Sequence, residues 1–180
     1  MVKTVMGNLG RIDILVNNAG INWSAPPEDY PLDKWDSIMD VNAKGTLNCI
    51  QQIGKIMMRQ MSGNIVNISS ATGVFATEPD VMQAIGYQAS KAAITIMTKQ
   101  LAFEWAKYNI RVNAIAPFFF ETRMTKGVID KVKAIIHRHV PMGRVGEDWE
   151  IQGTVLFLAS NASSYITGQT IMLDGGMSAW

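Results

Sequence analysis

Four short apolar runs punctuate the chain, at residues 12–16, 64–68, 111–115 and 169–173. Each is too short for a helix and rich in Ile and Val, the pattern of strands buried on both faces. Between them, apolar positions recur at helical spacing over about 32–61, 83–108 and 148–159, with a shorter stretch near 128–138. In the second of these, Ala89, Ala92, Ala93, Ile96, Met97 and Leu101 form the periodic set, and no Pro or Gly intervenes between Tyr87 and Tyr108. Val2, Val5 and Leu9 fit a further helical stripe. Strands alternating with long helices predict an α/β fold, a parallel sheet with helices on both faces. Ligands bind such sheets at the carboxyl ends of the strands. Polar residues follow the strands at those ends: Asn17-Asn18-Ala19-Gly20, then Ser69-Ser70, then the segment from Pro117 to Thr122.

At 180 residues a single domain spanning 1–180 is expected. The net charge of +1 gives no footing for a nucleic-acid or acidic partner. No apolar run reaches the roughly 18 residues that a membrane span needs. Residues 1–20 carry Lys3, Arg11 and Asp13 and lack the continuous apolar stretch of a signal peptide, so a cytoplasmic location is expected. Cys49 is the one cysteine; it lies in a helical apolar pattern and reads as a small buried residue.

The candidate chemistry centres on Tyr87 and Lys91, with Ser70 upstream. Positions i and i+4 share a helix face, so a phenol and an ammonium can meet there. A free tyrosine has a pKa of about 10, and a nearby cation lowers it toward useful proton exchange. The same spacing recurs at Tyr30 and Lys34, but Pro31 follows that tyrosine and pushes it out of a helix. Ser69 competes with Ser70 for the serine role. His137 and His139 stand without a carboxylate or cysteine cluster, so no metal site is expected.

With these residues in order, the chain resembles the short-chain dehydrogenase/reductases. The match rests on Asn17-Asn18-Ala19-Gly20, Asn42, Ser70 three residues before Gly73, Tyr87 with Lys91, Asn113 to Pro117, Glu121-Thr122, and Ile166 through Gly176. The groups closest in feel are 3-oxoacyl-carrier-protein reductases and gluconate or sugar-alcohol dehydrogenases. The resemblance implies hydride transfer between NAD or NADP and a secondary alcohol or ketone, on a three-layer Rossmann-type parallel sheet. By resemblance Tyr87 is the general acid/base, and Lys91 lowers its pKa and holds the nicotinamide ribose. Ser70 binds the substrate oxygen, and Asn42 holds a water leading from Lys91 to solvent. Asn17, Asn18, Ala19, Gly20, Pro117 and Thr122 line the cofactor cleft. A homo-oligomer, dimer or tetramer, is implied.

The chain also departs from that pattern. Family members usually run to about 250 residues, and their first strand leads into a glycine-rich loop that cradles the pyrophosphate. No such loop occurs here, and Gly7-Asn8-Leu9-Gly10 precedes its strand. A Rossmann-type sheet lacking its N-terminal strands is therefore expected, with the 12–16 strand at an open edge. Weak cofactor binding and weak or absent turnover by residues 1–180 alone follow. Phe118 replaces the usual glycine after the proline, either crowding the nicotinamide or turning outward under a lid. The lid region 122–144 holds Arg123, Lys126, Lys131, Lys133, His137, Arg138, His139 and Arg144 against Asp130. It reads as a receptor for anionic substrates or as a solvated face. A non-catalytic interaction module, and a lyase or epimerase using the same tyrosine, are the rival functions.

Overall fold

The computed structural model describes residues 1–121, 133 and 136–179. Four strands, β1 (Ile14–Asn17), β2 (Gly63–Ile68), β3 (Ile110–Pro117) and β4 (Thr170–Leu173), form one sheet in the order β1-β2-β3-β4. All neighbours pair in parallel, with Leu15 beside Ile65 and Ile65 beside Val112. The helices are α1 (Val2–Leu9), α2 (Leu32–Ile38), α3 (Gly45–Gln60), α4 (Ile85–Trp105) and α5 (Asp148–Ala159). The predicted helix over 32–61 is interrupted at its centre by a π-helical stretch, Met39–Lys44. Such wide turns occur most often at functional sites. Of the helix expected at 128–138, residues 133 and 136–138 are helical and the remainder lies outside the described residues.

The strand pattern explains the layers. Ile65 and Val66 are adjacent, so they face opposite sides of the sheet. Ile65 joins Leu15 and Val112 under Ile50, Ile53 and Met57 of α3 and Ala102 of α4. Val66 and Ile115 pack on the other side against Leu158 of α5. Each such side chain contributes roughly 1.5–3 kcal/mol by leaving water. Cys49 is half-buried beside the first cluster.

Polar side chains fix the layers in register. Asn17 donates to Asn67 (2.8 Å), Asn67 to Thr98 on α4 (3.0 Å), and Thr98 to the Ile94 carbonyl (2.9 Å). Arg111 donates to the Leu158 and Ser160 carbonyls at 2.9 and 3.1 Å, where the last turn of α5 leaves acceptors unfilled. At the other end of α5, Glu147 and Glu150 form a capping box. Among the described residues β1 pairs on one side only, and Ile14 and Val16 are 47% and 40% exposed.

Replacing Asn67, which is fully buried, leaves the Asn17 amide without an acceptor. Asn67→Leu is expected to lower unfolding free energy by about 1–3 kcal/mol, the penalty of an orphaned buried donor. Asn17→Leu in the same chain should recover part of the loss. Urea unfolding of the single and double variants checks both; an unrecovered double variant would assign the loss to packing.

Candidate active site

The site lies where β2 and β3 end, and α4 supplies its chemistry. Tyr87 sits in the first turn of α4 and Lys91 one turn further on. Lys91 is 4% exposed, and its ammonium donates to the Ile68 carbonyl at 2.7 Å, at the end of β2. It lies 5.5 Å from the centre of the Tyr87 ring. The two serines after β2 have different roles. Ser69 is buried and donates to the Lys91 carbonyl (2.9 Å), so it anchors α4. Ser70 caps the short turn Ala71–Gly73 and lies near enough to the Tyr87 phenol to favour its charged form. Its hydroxyl also meets Thr72 Oγ1 at 3.0 Å and the Pro117 carbonyl at 3.4 Å. Gly73 is required by contact: a Cβ there would lie 2.7 Å from the Lys91 backbone carbon.

Asn42, on the π-helical stretch, is fully buried and clamps two segments together. It accepts from the Ile21 N–H (2.8 Å) and donates to the Ile21 carbonyl (2.9 Å) and Ser90 Oγ (2.9 Å). Ser90 in turn donates to the Tyr87 carbonyl at 2.7 Å. The loop after β1 is thereby tied to the turn that carries Tyr87. Both amide hydrogens of Asn42 are used in this clamp, and Ser90 had no sequence signal beyond its place between Tyr87 and Lys91.

Burial sets the electrostatics. It pushes the Lys91 pKa down to about 8, because few groups replace the water around the ammonium. It also raises the Tyr87 pKa, and the nearby Ser70 hydroxyl pulls the other way. The expectation that Lys91 lowers the tyrosine pKa is therefore corrected: desolvation dominates, and the ammonium is turned to Ile68.

The other sequence candidates separate clearly. The Asn17 side chain turns into the sheet onto Asn67, whereas Asn18 and Ala19 are exposed beyond the end of β1. Gly20 approaches the clamp so closely that a Cβ would lie 3.4 Å from Asn42 Oδ1 and 3.5 Å from Lys91 Nζ. Pro117 meets Ser70 through its carbonyl, and Thr122 lies outside the described residues. Phe118 turns under the lid side, against Phe119 (4.5 Å between ring centres), Phe75 (6.0 Å), Ile136 and Val140. A cleft of about 280 Å³ beside it is lined by Phe118, Phe119, Met172 and Gly175. Arg144 is held by Glu150 through two hydrogen bonds of 2.8 and 2.9 Å, and His139 lies 3.7 Å from Glu78, which weakens the cationic-lid reading. Among the described residues no cluster of metal-binding side chains occurs, and no helix is long and apolar enough to cross a membrane.

Tyr30 is the residue the sequence concealed. Helix α4 begins at Ala84 without a side-chain cap of its own. The Tyr30 phenol donates to the Trp23 carbonyl at 3.2 Å and packs against the first turn of α4. A Cβ on Gly86 would lie 2.7 Å from that phenol oxygen. A residue whose spacing to Lys34 mimics that of Tyr87 to Lys91 thus sits against the start of the helix bearing Tyr87.

The chain matches the family described as Enoyl-(Acyl carrier protein) reductase over residues 1–178. It is 43% identical over 177 residues to 3-oxoacyl-[acyl-carrier-protein] reductase FabG of Thermotoga maritima, covering 98% of this chain and 70% of that protein. A gluconate 5-dehydrogenase from Burkholderia cenocepacia, crystallised with NADP and tartrate, superposes with a TM-score of 0.93 at 35% identity, covering 99% of this chain and 69% of that one. A short-chain type dehydrogenase/reductase from Mycobacterium marinum gives 0.93 at 36% identity, with coverage of 99% and 69%.

Two expected outcomes follow from the geometry. The folded Lys91 binds its proton less tightly than the unfolded lysine, whose pKa is about 10.4. Between pH 8 and that value the unfolded state holds more protons, so stability rises with pH; below pH 8 the full penalty stands. The raised Tyr87 pKa acts oppositely, and its contribution is lost only as pH climbs above 10. Urea midpoints of the wild type should therefore rise from pH 8 to 10 relative to those of Lys91→Met; parallel profiles would contradict the burial. Separately, Tyr30→Phe removes the hydrogen bond to the Trp23 carbonyl beside Gly86 and should speed amide exchange in the first turn of α4 by on the order of tenfold, about 1.4 kcal/mol of local opening. Exchange in the middle of α4 should stay unchanged, as NMR can read.

Proposed function

The chain belongs to the short-chain dehydrogenase/reductase family of oxidoreductases, and from that premise we propose that its site exchanges a proton with a secondary alcohol or ketone during nicotinamide-dependent hydride transfer. The observation that carries this reading is the convergence of the Ser70 hydroxyl, the Tyr87 phenol and the buried Lys91 ammonium at one strand end. Tyr87 gives its proton to the carbonyl oxygen in reduction and takes it back in oxidation. Ser70 donates a hydrogen bond to that oxygen, where negative charge grows. Lys91 restrains the charge that would form on Tyr87. Asn42 keeps the loop at Gly20 and the first turn of α4 in a fixed relation.

NAD or NADP, when bound, supplies the hydride. The residues present fit the nicotinamide ribose end of such a cofactor. Lys91 has three N–H donors and one acceptor among the described residues, so two remain for ribose hydroxyls. Gly20 leaves open the space that a side chain would fill beside Lys91 and Asn42. Asn18 and Ala19 would line the approach, with Pro117 on the opposite side; Thr122, outside the described residues, is proposed as a further cofactor contact from the family resemblance alone. A pyrophosphate cradle is not encoded in residues 1–180, so this segment by itself is proposed to hold the cofactor weakly. The similarity to acyl-carrier-protein and gluconate enzymes supports 3-oxoacyl thioesters or sugar acids as substrates. Exposed Ile96 and Phe103 on α4 support a homo-oligomer, and a cytoplasmic location is part of the same reading. The open edge of β1 favours one rival, an interaction module that adds this sheet to a partner.

The test uses residues 1–180 alone and the same residues preceded by the glycine-rich segment of the Thermotoga maritima reductase. The isolated segment should show no saturation with NADH below about 1 mM, a binding free energy weaker than about 4 kcal/mol. The completed protein should reduce a 3-oxoacyl thioester or keto acid, followed by loss of NADPH absorbance. Tyr87→Phe should lower its kcat at least 100-fold, the usual scale of acid–base catalysis. Unchanged turnover in Tyr87→Phe would remove the acid–base reading and favour the module.

A further inference from the structure

We propose that Thr72 is a positioning residue that holds Ser70 as a hydrogen-bond donor, so that the proton of a substrate alcohol has only Tyr87 to go to. The proposal rests on the acid–base reading of Ser70 and Tyr87. Its basis is a count of protons and lone pairs. Thr72 is buried, and its Oγ1 has one partner among the described residues, Ser70 Oγ at 3.0 Å. If Ser70 donated to Thr72, the Thr72 proton would be buried without an acceptor, which folded proteins avoid. Thr72 is therefore the donor. Its backbone N–H also points to Ser70 Oγ, at 3.3 Å.

A hydroxyl has one proton and two lone pairs. Thr72 fills both lone pairs of Ser70, one from its side chain and one from its backbone. Ser70 can then act only as a donor. In the resting site its proton has the Pro117 carbonyl at a long 3.4 Å, so it is free to turn to the nearby Tyr87 phenol, whose charged form Ser70 favours. Donation from Thr72 also polarises the Ser70 O–H, since chained hydrogen bonds strengthen one another. Without it, a freed lone pair on Ser70 would accept the Tyr87 proton. That contact favours the neutral phenol and would raise its pKa further.

The experiment needs no turnover, so it is independent of the Tyr87→Phe test. Residues 1–180 are labelled with [13Cζ]tyrosine, and the Tyr87 resonance is followed from neutral to alkaline pH. Thr72→Val keeps the shape and the backbone N–H but has no hydroxyl. It should shift the Tyr87 resonance at pH 8 and move its titration midpoint upward. Thr72→Ser should restore the wild-type position, and Tyr108 should be unaffected throughout. In a Ser70→Ala chain, Thr72→Val should have no further effect on Tyr87. A wild-type Tyr87 signal in Thr72→Val, or an equal shift in the Ser70→Ala chain, would overturn the proposal. Should Thr72→Val not fold, Thr72→Ala against Thr72→Ser reads the same difference.

Discussion

The site is organised around an ammonium removed from water. Lys91 lies on a helix face that packs against the end of β2, and one carbonyl, that of Ile68, meets it directly. A buried charge with so few partners is costly, so the surrounding backbone must be held in place by other means. Ser69 grips the Lys91 carbonyl, Gly73 admits the helix at contact distance, and Asn42 closes the third side through Ile21 and Ser90. Two donors of Lys91 have no partner among the described residues, and they are the counterpart of that cost.

Much of this was legible in the sequence because it follows from periodicity and contact. The four apolar runs became the four strands, and helix α5 begins and ends where its pattern does. Tyr87, Lys91 and Ser70 were found by a helix repeat and a turn signal, and they meet. The π-helical stretch was not legible, because its apolar positions continue the pattern of a single long helix through 32–61. Ser90 and Tyr30 were hidden for a different reason. Their hydroxyls meet groups outside the repeat, Ser90 the Asn42 amide and Tyr30 the Trp23 carbonyl, and such contacts leave no periodic trace. The sign of the Tyr87 shift failed for a third reason: spacing reports that a cation is near, but burial depends on everything packed around it.

Charge over 122–144 depends on pairing as well as on composition. Arg123, Lys126 and Lys131 lie outside the described residues. In space Arg144 belongs to the capped start of α5, fixed by Glu150, whose carboxyl is held at a pKa of about 2. His139 faces Glu78. The cleft beside β4 is walled by Phe118, Phe119 and Met172 together with the paired Arg144 and Glu150, so apolar contact and an already partnered charge both face what can lie there.

The contact between Gly73 and the Lys91 backbone has a consequence for evolution. It pins the serine turn and helix α4 to each other directly, without the intervening chain. Residues 74–84 connect two points whose separation is already fixed, so their length and composition can drift while Ser70, Tyr87 and Lys91 stay in place. A lineage can then lengthen, shorten or rewrite this stretch and sample new substrates by ordinary insertion and deletion. The glycine is the fixed point that makes such innovation tolerable.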